Sequence, residues 1–466
     1  MTRLNRMMRI LTALACIALA TPLTARSDPE KPQAEIERDF KAAMAAQDAG
    51  NLDQAELLLL RLHEKHPGIF AVDESLALVY VAKGNYAASV PIFEAAVREQ
   101  PGSDVAHANL GAAYFKLNRN EPALRELRIA AKLNPGNPAT QQSLGQVLLA
   151  AHQPDLAAAA FERALKMKPG DSDLLLARAT AMLAAGKTAA ARDVITQWPG
   201  TDKSAAAQSL LGDIDEKSGS YREAADHYVR AVDLEPSEEN AWKLGIEFLR
   251  HWTFDAAIKE FNAAAKQFPE STRLKLGLGA AYFGDGKYAE SVPVFAGLLQ
   301  ADSDNPLYAE LLGMSCTSVM QEARPRCSAL RKYAETHPRD ARASVDAAAE
   351  ILQEPPNAEE LKLAGRFLKN AIAADPKDPE ALYQLGLLKQ NQGNWVGSIA
   401  NLEAAIALKP TLAAAHYRLG LAYWRAGRKV EARREIALQR KYYKQQQDDL
   451  DARMRQITTF LVKVHK

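Results

Sequence analysis

The chain has 466 residues, 47% of them hydrophobic and only 7% aromatic, with a formal net charge of +1. That length exceeds a single hydrophobic core. The apolar share excludes a disordered chain, and the near-neutral balance excludes a bulk field drawing the whole molecule onto nucleic acid or a membrane. Abundant alanine and few β-branched runs favour helices over sheets.

The first residues, MTRLNRMMRILTALACIALATPLTARS, place Arg3, Arg6 and Arg9 before an apolar run from Ile10 to Ala20, with small residues following. This is the layout of a secretory signal peptide over residues 1–25, cleaved after Ala20 or Ala25, and the run is too short to span a bilayer comfortably. A periplasmic or secreted protein is therefore expected. The alternative is a lipoprotein anchored at Cys16, but its ALAC context lacks the usual Leu three places before the Cys. Residues 26–35 read as a flexible linker. If Cys16 leaves with the signal, Cys316 and Cys327 remain, and an even pair in an oxidising compartment is a disulfide candidate.

From residue 36 onward a spacing recurs. Pairs of small residues stand twelve apart: Ala43 and Ala55, Ala77 and Ser89, Gly111 and Ala123, Gly145 and Ala157, Ala179 and Ala191, Gly212 and Ala224, Gly245 and Ala257, Gly279 and Ser291, Gly386 and Ser398, Gly420 and Ala432. Sixteen residues after the first member sits a large apolar residue, among them Leu127, Phe161, Tyr228, Phe261, Phe295 and Leu402. Twenty-four after it there is usually a proline: Pro67, Pro101, Pro135, Pro169, Pro236, Pro269 or Pro410. The period is about 34 residues. Each unit reads as two helices around a short break. Facing small residues let the two axes approach, and the large residue fills the space where they diverge. Gly84, Gly219, Gly286, Gly393 and Gly427 supply positive φ after the first helix, and the proline closes the second. A lone hairpin cannot bury its apolar faces, so neighbours must stack.

This Leu-Gly…Tyr…Ala…Phe…Ala…Pro pattern resembles the tetratricopeptide repeat family. Good matches span 70–103, 104–137, 138–171, 205–237, 238–271, 272–305, 379–412 and 413–444, with weaker ones at 36–69 and 172–204. The repeats thus occupy 36–305 and 379–444, and two degenerate repeats would fill 306–378. The resemblance implies an all-α, right-handed superhelical solenoid of about 12 helical hairpins that binds protein or peptide partners in a concave groove. YAASVPIF (Tyr86–Phe93) and YAESVPVF (Tyr288–Phe295) are nearly identical, each with a proline early in its second helix. Near the C-terminus, Leu450, Met454, Ile457, Leu461 and Val464 form one apolar stripe, which reads as a long capping helix over 445–466.

No Walker loop, dinucleotide fingerprint, His-Glu-x-x-His or nucleophile elbow occurs, and no cofactor, metal or nucleic acid is implied. The glycines of LGLGAAYFGDG (Leu276–Gly286) follow helix-contact and turn logic. His63 and His66 share a helix end without a visible third ligand. Cys316 and Cys327 flank a break, MQEARPRC, that has no glycine, so a disulfide would staple a weak repeat.

By the resemblance, first helices line the groove. Groove-side places hold Trp242, Arg250, Arg273, Phe283, Tyr383, Asn391, Tyr417, Trp424 and Arg425, with Phe115, Asp213, Glu216 and Lys217 beside them. Exposed aromatics and arginines are typical partner anchors, whereas the same stripe can also be packing between repeats. The Lys and Asn places of the family's carboxylate clamp hold Glu74 and Leu78, so that specificity is not carried over. Arg418, Arg425, Arg428, Lys429, Arg433, Arg434, Arg440, Lys441 and Lys444 form a basic run opposed within it only by Glu431 and Glu435. It reads either as a solvated helix face partly balanced by Asp448, Asp449 and Asp451, or as a patch for an acidic protein or an anionic envelope surface. The expectation is a non-enzymatic exported scaffold. The alternatives are an envelope or outer-membrane assembly factor serving secretion, pili or polysaccharide export, and an enzyme with an unrecognised site.

Overall fold

The computed structural model describes residues 30–318, 327–353 and 355–445. The proposed signal peptide with Cys16, most of the Met320–Cys327 break and the capping stripe from Leu450 lie outside these residues. The described chain is helical without strands and divides into two compact units between Asp202 and Lys203.

The first unit holds five helix pairs: α1 (Glu30–Asp48) with α2 (Leu52–Lys65), α3 (Phe70–Ala82) with α4 (Tyr86–Glu99), α5 (Asp104–Lys116) with α6 (Asn120–Leu133), α7 (Pro138–Ala150) with α8 (Pro154–Met167), and α9 (Ser172–Ala184) with α10 (Thr188–Thr196). The second continues with α11 (Ala205–Ser218) and α12 (Tyr221–Leu234), α13 (Glu238–Arg250) and α14 (Phe254–Gln267), α15 (Thr272–Gly284) and α16 (Tyr288–Ala301). It then has α17 (Pro306–Ser318) and α18 (Ser328–Thr336), α19 (Ala341–Leu352) and α20 (Ala358–Ala374), α21 (Pro379–Asn391) and α22 (Trp395–Leu408). The last pair is α23 (Ala413–Arg425) with a helix over 429–445, α24. Residues 30–35, read as linker, are helical: Pro32 falls in the first turn of α1, where its missing N–H breaks no helical bond.

Local chemistry sets each boundary. Ser103, Asn137, Asp171, Ser204, Ser237 and Ser271 precede first helices, and each accepts a backbone N–H from the first turn. First helices end in a left-handed residue seven places after the small residue, as at Gly84 (φ 75°), Gly219 (78°) and Gly393 (74°). Asn118, His152 and Trp252 occupy the same place at φ 56–57° without being glycine. Second helices end at a residue held extended by the proline that follows, such as Gln100 (φ −128°, ψ 76°) before Pro101 and Phe268 (φ −121°, ψ 70°) before Pro269. Pro91 and Pro293 are each the sixth residue of their helix, beyond the first turn, so each removes one helical hydrogen bond. In both motifs a serine two residues earlier donates to the tyrosine carbonyl, Ser89 to Tyr86 and Ser291 to Tyr288, each at 2.9 Å.

The spacing of sixteen has a direct physical basis. A Cβ added to Gly111 would lie 2.7 Å from Leu127, one on Gly145 2.7 Å from Phe161, one on Gly212 2.6 Å from Tyr228, and one on Gly279 2.5 Å from Phe295. The large residue therefore sits on the bare glycine backbone rather than filling a space beyond it. Phe261 is seated twice, 2.3 Å from a Cβ on Gly245 and 2.6 Å from one on Gly277, so its ring is pinched between the first helices α13 and α15. These side chains are buried, each worth roughly 1.5–3 kcal/mol of transfer free energy. Within each unit the core is a row of such seats, each shared by neighbouring hairpins.

The α17/α18 pair departs from this rule. Gly313 faces Asp346 of α19, not its partner helix, and α18 has 9 residues where most second helices have 14. Cys316 of α17 and Cys327, capping α18, are joined by a disulfide, with Cα atoms 6.0 Å apart.

Candidate functional site

All the groove-side residues singled out between Trp242 and Arg425 lie in the second unit. They behave in two ways. Trp242, Phe283 and Tyr383 are half-buried and pack against the core. The Trp242 ring lies 5.8 Å from Phe261 and under the Arg273 guanidinium at 5.4 Å, while Arg273 also pairs with Glu238 (3.1 Å) and Glu239 (2.8 Å). Phe283 meets Tyr288 edge-on at 5.2 Å. Burial raises the Tyr383 hydroxyl above its ordinary range, against a smaller lowering by Arg418. Asn391 is exposed, and its amide donates to the Leu387 carbonyl one turn back at 3.1 Å.

Helix α23 is different. Its Ala415, Leu419, Gly420 and Ala422 face inward, and Gly420 would carry a Cβ 3.0 Å from Ile436 of α24. His416 is also buried, its Nε2–H donating to the Pro410 carbonyl (2.9 Å) and its Nδ1 pairing with Glu435 (2.6 Å). Tyr423 donates to Glu403, and burial pushes its hydroxyl up to about 12. The 3.6-residue period then sends Tyr417, Leu421 and Trp424 outward, where they are 45%, 37% and 55% exposed. Cations surround the stripe. Lys429 Nζ stands 5.9 Å over the Trp424 ring, and Arg425 stands 5.7 Å over Trp395, the first residue of α22. The two acidic residues of the basic run are already engaged: Glu431 with Arg428 at 2.9 Å, and Glu435 with His416. The result is an apolar aromatic stripe inside a positive field. Sequence spacing alone had not separated it from the half-buried aromatics of α13, α15 and α21.

Arg250 belongs to a second cluster. Its guanidinium lies 3.5 Å from Glu216 and 4.0 Å from Glu247, and His251 completes the group. Burial, with Glu216 beside it, raises the Glu247 carboxyl to about 8. His63, read with His66 as a weak metal pair, instead bonds Asp73 at 2.6 Å.

Tetratricopeptide repeat models match residues 80–147 and 148–214, and again 40–104 and 243–306; a further TPR repeat model matches 391–427. No curated protein matches the sequence. Among solved structures, the chain is similar to PilW, a widely conserved type IV pilus biogenesis factor, at 17% identity over 45% of this chain and 98% of that one, with a TM-score of 0.40. It is similar to Pseudomonas aeruginosa pilF at 20% identity over 44% and 94%, TM-score 0.36. The APC/C hetero-tetramer Cut9–Hcn1 matches at 15% identity over 87% of both chains, TM-score 0.36. With glycine seats, left-handed turn residues and closing prolines recurring in phase through both units, and with family models matching across them, the chain belongs to the tetratricopeptide repeat family.

Proposed function

We propose that this chain is an exported, non-catalytic scaffold that binds protein partners through the exposed face of its first helices, with α23 as the principal anchor. Stacked helical hairpins suit such a role because they present long rigid surfaces. The observation that carries the reading is the outward stripe of Tyr417, Leu421 and Trp424 among Arg425, Lys429 and their basic neighbours. Tyr and Trp offer large contact area with few rotatable bonds, and the surrounding cations favour an acidic protein or peptide, with salt-sensitive association. The disulfide in α17/α18 and the basic-then-apolar start of the chain support export. Mass spectrometry of the mature N-terminus tests this, and also separates a cleaved soluble form from a lipoprotein at Cys16. An envelope assembly factor is a narrower version of the same scaffold.

The anchor is tested on one variant. Because Trp424 is more than half exposed, Trp424→Ala should weaken capture of a partner purified from the cell envelope by ~2 kcal/mol or more. Its melting temperature should stay within about 2 °C of the parent. A large fall in melting temperature would retire Trp424 as an anchor, and unchanged capture would retire the α23 face.

A further inference from the structure

Where α11 meets α13, three side chains of ligand type converge: Glu216 from α11, and Glu247 and His251 at the end of α13. His251 Nε2 lies 3.3 Å from Glu216 Oε2 and 3.3 Å from Glu247 Oε1, and one ligand atom from each of the three lies within 4.8 Å of the others. Glu247 is 1% exposed, and neither of its carboxylate oxygens has a hydrogen-bond partner among the described residues. A carboxylate so placed has exchanged water for two loose contacts, His251 at 3.3 Å and Arg250 at 4.0 Å, and is unfavourable unless a proton or a cation neutralises it. Arg250, whose side chain is 56% exposed, stands at the rim of the cluster, 4.0 Å from Glu247 and 3.5 Å from Glu216. The His251 ring packs against that of Tyr221, centroids 4.1 Å apart.

We propose that Glu216, Glu247 and His251 form a binding site for a divalent transition cation of the zinc class, bridging the first helices of two consecutive hairpins. The spacing suits it: a tetrahedral shell with bonds of about 2.0–2.1 Å has ligand-to-ligand edges of about 3.3 Å. The imidazole selects against calcium and magnesium, which prefer all-oxygen shells. Two carboxylates neutralise the dication, and the buried Glu247 oxygens gain a bonded cation in place of the loose 4.0 Å contact with Arg250. The fourth position stays open to water or to a ligand atom from a bound partner. The competing arrangement has no metal: Glu247 keeps its proton against the Glu216 carboxylate, with His251 and Arg250 completing the cluster.

The experiment uses the full mature chain stripped with a chelator and dialysed. Calorimetric titration with zinc chloride should saturate at one ion per chain, while magnesium and calcium chloride give no saturable heat. Cobalt chloride should give the strong visible bands of a four-coordinate site. Glu216→Gln, Glu247→Gln and His251→Gln should each lower zinc association by about tenfold or more, whereas His152→Gln, an exposed histidine in another hairpin, should leave it unchanged. If Glu247→Gln does not fold, Glu216→Gln and His251→Gln, which replace less buried groups, decide the matter once circular dichroism shows both folded. Absence of saturable zinc binding, or binding undiminished in those two variants, would overturn the site.

Discussion

The hairpins α13/α14 and α17/α18 hold two helices together by different chemistry. In the first, a 14-residue second helix carries Phe261 onto Gly245, and the same ring reaches Gly277 of the next hairpin. In the second, the second helix has 9 residues, Gly313 is turned toward Asp346 of α19, and the Cys316–Cys327 bond joins the pair. A seat between ring and glycine couples a hairpin to its neighbour, because one side chain serves two contacts. A disulfide couples only the two helices it joins. The regular hairpin is thus held by packing that extends along the row, and the irregular one by a local bond that depends on redox conditions.

Three variants test this contrast. Phe261→Ala should be the most damaging, because it empties two seats at once. A loss of ~3–5 kcal/mol is expected by chemical denaturation, unchanged by reductant. Loss below ~1 kcal/mol would mean that the seats do not stabilise the row. Replacing both cysteines, Cys316→Ser with Cys327→Ser, comes next. For a sequence separation of 11 the loss should be ~2–3 kcal/mol, reproduced in the parent by reductant alone. Thiol labelling of the denatured, unreduced protein gives the simpler check, since two free thiols would remove the bond from the comparison. The smallest effect concerns the turn of the regular hairpin. Trp252 holds φ 57°, a conformation that costs a side-chain-bearing residue ~1 kcal/mol or more. Its ring stands 6.1 Å from that of Phe254, a contact glycine would forfeit. Trp252→Gly should therefore be neutral or raise stability by up to ~1 kcal/mol, and a clear loss would show the ring contact outweighing backbone strain.

Much of this was legible in the sequence because one physical contact recurs at one spacing. The glycine at the seat, the large residue sixteen on and the closing proline can be read without a structure. Residue type reveals the left-handed turn only where it is glycine. Asn118, His152 and Trp252 give no such signal, although each stands seven residues after Gly111, Gly145 or Gly245, as Gly219 does after Gly212. Position, not residue type, was the signal. Polar pairings were not read at all. Glu94, His107, Tyr114 and Glu126 recur 309 residues later as Glu403, His416, Tyr423 and Glu435, and both sets bond alike, His107 to Glu126 and His416 to Glu435 each at 2.6 Å. Likewise Glu216 and His251 are 35 residues apart, about one repeat, which places them on corresponding faces of consecutive first helices. Exposure could not be read in this way. Tyr383 and Tyr417 hold corresponding groove-side places, yet Tyr383 packs against the core with Arg418 of α23 beside it, while Tyr417 is exposed.

That each seat is filled from no farther than the adjoining hairpin bears on how such a long chain reaches its folded state. Loop-closure entropy grows with the separation of the residues that must meet, and here Phe261 finds both Gly245 and Gly277 within sixteen residues on either side. Within either unit, the contacts that form the seats are thus as local as those of small helical domains. A chain emerging N-terminus first from the ribosome can close each hairpin as soon as its second helix appears, and hold it when the next first helix arrives. The exposed apolar surface at any moment is then limited to the growing end, which keeps aggregation low during synthesis even though the whole sequence is rich in alanine and leucine.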